Sequence, residues 1–198
     1  MPLLGPADPL PLSPRRVLVA GTSGAGKSTL ARRVAAERRL SYVELDALHH
    51  GPQWTPRPEF ASDVEKFTAL PQWVTEWQYH AVRPLLLERA DLLVWLDHSR
   101  GTVMRRLTFR TVSRRLRRVE LWNGNTEPPL RTVFTDSEHL LRWAWRSHGG
   151  MPDRIRAVLA GPHGARLTVV RLRGQRQVEA WLAGPLRLAD GVRKEHCT

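Results

Sequence analysis

One segment near the start of the chain constrains its fold more than any other. Residues 21–28 read GTSGAGKS and follow RRVLVA at 15–20, an apolar run typical of a strand buried on both faces of a parallel sheet. After the loop, apolar residues recur at helical spacing, at Leu30, Ala31, Val34 and Ala35. The sequence therefore predicts a strand, a glycine-rich loop and a helix in direct succession.

This loop has the chemistry of a phosphate-binding site, because it satisfies the pattern G-x-x-x-x-G-K-[ST] in full. Its glycines let backbone N–H groups converge on a phosphate, and the following helix adds its positive N-terminal end. We expect Lys27 to reach the β- and γ-phosphates of ATP and the Ser28 hydroxyl to bind Mg²⁺. The residues expected to contact the nucleotide are Gly21, Thr22, Ser23, Gly24, Ala25, Gly26, Lys27, Ser28 and Thr29.

Two other interpretations of the loop are a chance glycine-rich turn and a dinucleotide-binding turn. Glu44 and Asp46 do lie about where a ribose-binding acid would be found. A dinucleotide turn, however, requires G-x-G-x-x-G, and it has no use for Lys27 and Ser28. The glycine spacing therefore favours the triphosphate.

The rest of the chain alternates apolar runs with helical patterns. Further strands are predicted at Ser41–Leu45, Gln72–Trp77, Leu92–Leu96 and Arg166–Leu172. Strands that alternate with helices predict an α/β fold with a parallel sheet. We expect a flexible tail at 1–14, which holds five prolines, one domain at 15–185, and a C-terminal tail at 186–198.

The composition is that of a soluble, cytoplasmic protein of one domain. Its 198 residues contain no apolar run near the ~20 residues of a membrane span and no secretory signal. The single cysteine, Cys197, can form no internal disulfide. The net charge of +12 indicates either nucleic acid or a polyanionic nucleotide as a partner.

Three acids lie at the carboxyl ends of predicted strands: Asp46, Glu76 and Asp97. Ligands of open α/β sheets bind beyond the carboxyl ends of the strands, so these acids are expected near the phosphate loop. There an acid can hold Mg²⁺ or accept a proton from a substrate hydroxyl. Asp46 is the first candidate for the base and, with Ser28 and Asp97, for a metal ligand; the plainer alternative is that each acid caps the next helix.

A second substrate is expected to bind beside these acids. The loop after Asp46 contains His49 and Trp54, which could cover it, whereas a histidine pair without further ligands is weak support for a metal site. The predicted substrate-binding residues are Asp46, His49, Trp54, Glu76, Tyr79 and Arg83.

An arginine-rich helix is predicted from Ser99 to about Val119. Arg106, Arg110 and Arg114 recur every four residues and share one face, and Arg142 and Arg146 repeat that step in a second helix. Arginines stabilise the charge of a phosphoryl group in transfer, so the two helices are predicted to form a lid at about 105–147. A solvated basic face and a nucleic-acid surface are the alternatives.

Several of these segments together resemble the adenylate-kinase-like P-loop kinases. They are RRVLVAGTSGAGKSTLARRVAAE, ELDALHHGPQW, WVTEWQY, LLVWLD, MRRLTFR and ELWNGN. The narrower resemblance is to DNA topology modulation proteins, also described as AAA family ATPases. Where those proteins often read WVIDGNY, this chain reads WVTEWQY at 73–79.

The resemblance implies a three-layer sandwich around a five-stranded parallel sheet of order 2-3-1-4-5, with a lid inserted after the fourth strand. It also implies that Gly21–Thr29 bind phosphates, that Asp46 faces the acceptor and magnesium, and that Arg106 and Arg110 are lid arginines. The expected function is Mg·ATP-dependent phosphoryl transfer to a small acceptor, such as a nucleoside or nucleotide. The residues expected to be catalytic are Lys27, Asp46, Arg106, Arg110, Arg142 and Arg146.

Two other functions fit the same motifs. One is an ATPase that acts on a protein partner, and the other is a basic nucleic-acid-binding protein that uses nucleotide as a switch. The second is less favoured, because the lid arginines account for much of the positive charge without nucleic acid.

Overall fold

A five-stranded, all-parallel sheet forms the centre of the molecule in the computed structural model, which describes residues 3–117, 119–125, 145 and 148–189. This confirms the predicted α/β class. The strands lie in the order β1-β5-β4-β2-β3. They are β1 Leu3–Leu4, β2 Arg16–Ala20, β3 Trp73–Glu76, β4 Leu92–Leu96 and β5 Thr168–Leu172.

Helices cover both faces of the sheet because alternate residues of the buried strands point to opposite sides. Val17 and Val19 of β2 pack in one cluster, and Leu18 and Ala20 pack in the other. The helices are α1 Lys27–Arg38, α2 Leu45–His49, α3 Phe60–Thr68, α4 Arg83–Arg89, α5 Arg100–Leu116, α6 Met151–Ala160 and α7 Gly174–Trp181. Within the described ranges, no helix is both long and apolar enough to cross a bilayer.

The predicted strand at Ser41–Leu45 is wrong in its extent, because the structure reduces it to a single bridge. Only Tyr42 forms an isolated parallel bridge, to Val74, and the chain turns into α2 at Leu45. The Val43 N–H donates to the Val74 carbonyl and the Val74 N–H donates to the Ser41 carbonyl, so the segment lies beside β3 for one bridge only. Beyond it Leu45 is fully buried, and its N–H donates to the Glu76 carboxylate at 3.5 Å.

The fifth strand comes instead from the first residues of the chain. Leu3 and Leu4 pair with Val169 and Val170 at the opposite edge of the sheet, and Leu10 is buried. The structure therefore differs from the expected flexible tail at 1–14. Of the expected order 2-3-1-4-5, the third, first, fourth and fifth strands lie side by side as predicted, and the difference is confined to the two edges of the sheet. The prolines of this segment shorten the strand but do not prevent the apolar residues between them from packing.

The C-terminal end of the described chain also packs on the domain. After α7 the helix continues through a π-helical turn at Leu182–Leu186, where Leu186 is fully buried. The predicted C-terminal tail at 186–198 is thus wrong for residues 186–189, and the rest of it, with Cys197, lies outside the described residues.

The predicted arginine helix is present as α5, and it ends at Leu116. It is followed by a 3-10 turn at Trp122–Gly124. Of the predicted lid at 105–147, the structure describes residues up to 125, except 118, together with 145. Arg142 and Arg146 lie outside the described residues, so their predicted role stays a prediction.

Candidate active site

The phosphate loop joins the carboxyl end of β2 to the first turn of α1. It curls through two glycines in the left-handed region, Gly24 at φ 83° and Gly26 at φ 96°, the latter being the N-terminal cap of α1. The Ala25 N–H donates to the Thr22 carbonyl at 3.1 Å, which closes the turn. Glycine adopts this backbone without strain, so the sequence pattern and the loop geometry agree.

Gly24 also brings the loop into contact with the arginine helix. A Cβ at position 24 would lie 2.8 Å from the Val103 carbonyl oxygen and 2.9 Å from the Leu107 Cβ, both in α5. No side chain fits between these two backbones. The loop and the start of α5 therefore pack at the distance that only glycine permits.

This packing predicts a marked instability for Gly24→Ala. Overpacking and the left-handed backbone are expected to lower the free energy of unfolding by about 1–3 kcal/mol, measured by urea denaturation. Gly101→Ala is the matched control, because Gly101 lies in α5 itself and a methyl group at that position would meet no described atom within 4 Å. That control should stabilise by about 0.5–1 kcal/mol; equal effects at both positions would contradict the tight contact.

Lys27 lies in a partly desolvated position between acids and arginines. Burial lowers the pKa of Lys27 below its ordinary value, and the nearby Asp46 and Glu76 carboxylates act in the opposite direction. Its Nζ donates to the Thr22 carbonyl at 3.4 Å, a long and weak contact. A desolvated ammonium group with so little compensation is suited to receive a phosphate oxygen.

Two cavities open on either side of the loop. The first, of about 250 Å³, lies between the loop, α5 and α7, and we call it the α7-side cavity. Arg106 lies in its wall and donates to the Ala25 carbonyl at 3.4 Å and to the Gln175 side chain at 3.0 Å. The predicted lid arginine Arg106 thus lies beside the loop backbone and not with Asp46, whereas Arg110 lines both cavities.

The second cavity, of about 680 Å³, contains Asp46, and we call it the Asp46 cavity. It brings together many of the residues predicted from the sequence, namely Ser23, Gly24, Gly26, Lys27, Ser28, Thr29, Asp46, Trp54, Tyr79, Arg83 and Arg110. It also contains residues that were not among the predicted sites: Arg32, Glu44, His50, Gln78, His80, Arg114, Leu121, Trp122 and Arg154.

Asp46 is oriented by two hydrogen bonds from the segment after β3. Gln78 Nε2 donates to Asp46 Oδ1 at 2.7 Å and the Tyr79 hydroxyl donates to the same oxygen at 2.6 Å. Burial and the Asp46 charge raise the pKa of Tyr79, so the phenol stays protonated and remains a donor. Within the described residues Oδ2 receives no hydrogen bond, which leaves it available to a substrate hydroxyl or to water.

Tyr79 supports this arrangement at some conformational cost. Its φ of 59° lies in the left-handed region, which is unusual for an aromatic residue. The His49 ring stacks on it at 4.1 Å between centroids, and Phe60 packs against both rings. Strained backbone maintained by such packing is a common property of functional sites.

Three of the predicted site residues have other roles in the structure. His49 supports Tyr79 but does not line the Asp46 cavity; burial and the neighbouring His50 lower its pKa, which favours the neutral ring. Glu76 is 1% exposed and accepts hydrogen bonds from the Tyr42 hydroxyl and the Leu45 N–H. The predictions that His49 and Glu76 contact a substrate directly therefore disagree with their placement.

Asp97 is the third of these residues. Its carboxylate accepts hydrogen bonds from Arg171 Nη2 at 2.5 Å and from Arg173 Nε at 3.2 Å. It lines neither the α7-side cavity nor the Asp46 cavity. The two arginines satisfy this acid, so the structure does not bring Asp97 together with Ser28 and Asp46 as the predicted metal ligands.

A short segment after α5, residues 121–125, closes over the loop that follows Asp46; we call this contact the asparagine clasp. Asn125 is 5% exposed and donates to the Gly51 and Trp122 carbonyls at 2.9 and 2.8 Å, while its side-chain oxygen accepts the Trp54 N–H at 3.0 Å. Asn123 also donates to the His50 carbonyl. The clasp brings the Trp54 and Trp122 rings to 6.3 Å between centroids at the rim of the Asp46 cavity.

Asn125→Ala is expected to open this clasp. The change leaves the Trp54 N–H and the Gly51 carbonyl without their partner, which should cost about 1–3 kcal/mol and expose both tryptophans. A red shift of tryptophan emission and a lower melting temperature would measure it. Asn125→Asp keeps the acceptor for the Trp54 N–H but loses the donor, so an intermediate effect is expected; no difference between the two variants would contradict the clasp.

The residues present fit Mg²⁺ bound through phosphates better than a metal bound by protein alone. In the described ranges no group of three or more His, Cys, Asp or Glu side chains could hold a metal ion. Ser28 and Asp46 do line one cavity with Lys27. A hydroxyl and one carboxylate beside a phosphate loop match the way Mg²⁺ binds in nucleotide sites, where the substrate phosphates supply further ligands.

Some of the cavity residues that were not predicted have a signal in the sequence, and others have none. The distinctive ELWNGN segment could have been predicted to lie near the loop that follows Asp46, where Trp122 lines the cavity and Asn125 forms the clasp. Gln78 also stands directly after a predicted strand end. Arg154 gave no signal, because it is one of many arginines on amphipathic helices and only the fold brings it to the Asp46 cavity.

Solved kinase structures share this fold. A gluconokinase from Sinorhizobium meliloti 1021 superposes with a TM-score of 0.52 at 19% identity, over 93% of this chain and 99% of that protein. A candidate kinase from Chloroflexus aurantiacus J-10-fl gives 0.50 at 17% identity, over 86% and 96%. No protein-family model and no curated protein matches the sequence. The chain therefore shares its fold with these solved kinases.

Proposed function

We propose that this protein transfers the γ-phosphoryl group of Mg·ATP to a hydroxyl group of a small acceptor. The observation that carries the proposal is that Lys27 of the phosphate loop and Asp46, with one carboxylate oxygen free of hydrogen bonds from the described residues, line the same cavity. A phosphate-binding cation and a general base in one enclosed space are the minimum that a hydroxyl kinase requires.

The two cavities suggest where each substrate binds. The α7-side cavity lies beside Thr29 and Leu30 of α1 and has the size of a base and ribose, so we assign it to the donor nucleoside. The larger Asp46 cavity then receives the acceptor. Arg110 lines both cavities, which puts its guanidinium at the boundary where the phosphoryl group would pass.

The chain's own groups can perform each part of the transfer. Asp46 Oδ2 accepts the proton of the acceptor hydroxyl, whose oxygen bonds to the γ-phosphorus while the bond to the bridging oxygen of ADP breaks. Lys27 and Arg110 stabilise the negative charge on the phosphoryl oxygens. Mg²⁺ would be held by the Ser28 hydroxyl and the substrate phosphates, with Asp46 acting on it through water, and would add positive charge at the phosphates.

Several narrower predictions remain part of this proposal. We propose that residues 105–147 act as a lid, with Arg142 and Arg146 as further phosphoryl contacts, and that the protein works in the cytoplasm. The resemblance to DNA topology modulation proteins concerns sequence motifs alone and supports no reaction of its own.

The proposal is tested by thermal melting and by product analysis. Mg·ATP should raise the melting temperature, and one class of small hydroxylated compound should raise it further and become phosphorylated. Steady release of inorganic phosphate with no dependence on any acceptor would reject the kinase and favour an ATPase. Salt-sensitive binding of DNA or RNA that is lost on changing Arg114 and Arg117 would favour the nucleic-acid alternative.

A further inference from the structure

Two arginines of the Asp46 cavity lack an acidic partner in the described part of the chain. Arg83 begins α4 and Arg154 lies in α6, and both line the cavity. Among the residues that the structure describes, no carboxylate lies within ion-pair distance of either guanidinium. By contrast, the neighbouring cavity residue Arg32 forms an ion pair with Glu44 at 3.1 Å.

Arg83 is also held in an unfavourable environment. Its Nε is buried without a hydrogen-bond partner among the described residues, and its guanidinium lies over the Trp77 ring at 5.4 Å from the centroid. Burial lowers the pKa of Arg83, and the positive charge of Arg154 lowers it further. Two like charges at one site, one of them desolvated, cost free energy unless an anion binds there.

The position of the pair separates it from the site assigned to the donor nucleoside. Neither arginine lines the α7-side cavity, where we place the donor nucleoside. Both share the Asp46 cavity with Tyr79 and His80, on the side formed by α4 and α6. The described lining of this cavity contains six cationic side chains and two carboxylates, so its potential favours an anionic occupant.

We propose that Arg83 and Arg154 bind an oxyanion that the acceptor itself carries, a carboxylate or a phosphate ester distinct from the hydroxyl that is phosphorylated. This inference rests on the proposed function and names its substrate class: a small hydroxy acid or a hydroxylated phosphate ester. A guanidinium group can bind either a planar carboxylate or a tetrahedral phosphate through two of its N–H donors. The two arginines are therefore expected to recognise the oxyanion that both kinds of acceptor have in common.

The contact between the Arg83 guanidinium and the Trp77 ring explains how the site is preorganised. Trp77 is 3% exposed and follows β3 directly, so the ring is fixed by the core. An aromatic face limits the guanidinium to a few orientations, which reduces the entropy lost when an anion binds.

The experiment measures binding without turnover, on the full chain with Mg·ADP present. The probes are matched sets of three, four and six carbons, each consisting of a polyol, the corresponding sugar acid and the polyol phosphate. We expect the anionic members of at least one set to bind at least about 10-fold more tightly than the neutral polyol, by calorimetry or melting temperature. The preferred anion then distinguishes a carboxylate from a phosphate ester.

Substitutions then assign the anion to the pair. Arg83→Gln and Arg154→Gln should each weaken binding of the anionic probe roughly 10- to 100-fold and leave the polyol unchanged. Arg156→Gln is the control, because Arg156 lies in the same helix and pairs with Asp153 at the surface. Arg154 is exposed, so Arg154→Gln is expected to fold even if the Arg83 variant does not.

Two outcomes would overturn the inference. Equal binding of neutral and anionic members in every set would show that the cavity recognises no acceptor anion. Weaker binding of ATP relative to ADP in the Arg83 variant, with anion binding unchanged, would assign the pair to the γ-phosphate instead. Both are distinct from failure of the proposed function, which would appear as absence of phosphoryl transfer whether or not an anion binds with Mg·ADP.

Discussion

Replacing Lys27 with methionine is expected to abolish the rise in melting temperature that Mg·ATP produces in the unchanged protein. A ligand present at about 100 times its dissociation constant stabilises by about 2.7 kcal/mol, which is a shift of several degrees for a chain of this size. Without the ammonium group that gain should disappear. The ligand-free protein should melt at the same temperature or higher, because burial makes the Lys27 charge costly.

The chain offers a closely matched control for this variant. Lys66 in α3 is mostly exposed and pairs with Asp63 across one turn at 3.6 Å. Lys66→Met removes the same charge, yet the nucleotide should still stabilise it fully. Unchanged stabilisation of Lys27→Met by Mg·ATP would refute the phosphate site, since no other lysine of the described residues lies in either cavity.

Replacing Asp46 with asparagine should separate chemistry from binding. Asparagine can still accept the hydrogen bonds from Gln78 and Tyr79 through its oxygen, so the fold of the site should persist. It cannot accept the acceptor's proton, and loss of a general base costs about 10²- to 10⁴-fold in rate. We therefore expect kcat to fall by that factor while the nucleotide affinity measured by calorimetry changes by less than about 10-fold.

Asp8→Asn serves as the control, because Asp8 accepts the Gly5 N–H in a turn and lines neither cavity. Its activity should match that of the unchanged protein. If Asp46→Asn retained full activity towards an identified acceptor, Asp46 would not be the base. A parallel loss of nucleotide affinity would instead identify the carboxylate chiefly as a magnesium ligand.

The central strands of the sheet could be predicted because their sequence contains the cause of their structure. Runs such as LLVWL at 92–96 are apolar at every position, which suits only a strand covered on both faces. The edges were not predictable in this way. Whether Leu3–Leu4 or Ser41–Leu45 becomes an edge strand depends on hydrogen bonds to residues far away in the chain, namely Val169 and Glu76.

The residues of the candidate site differ in the same way in how far the sequence could predict them. The phosphate loop was predictable residue by residue, because one contiguous pattern determines its backbone. Acids at strand ends looked equivalent in sequence, yet Asp46 faces a cavity, Glu76 is buried under Tyr42, and Asp97 is paired with Arg171. Local position could not distinguish them, because the difference lies in which distant side chain reaches each carboxylate.

The close approach of Gly24 to α5 has a mechanical consequence. Because the backbones touch at Val103 and Leu107, the phosphate loop and the first two turns of this helix must move as one rigid body. Any swing of the segment beyond must pivot on the C-terminal side of Leu107. Arg106 is then expected to stay with the loop throughout a catalytic cycle, and the proposed lid could move only beyond the part of α5 that packs on the domain, which extends to the buried Thr111.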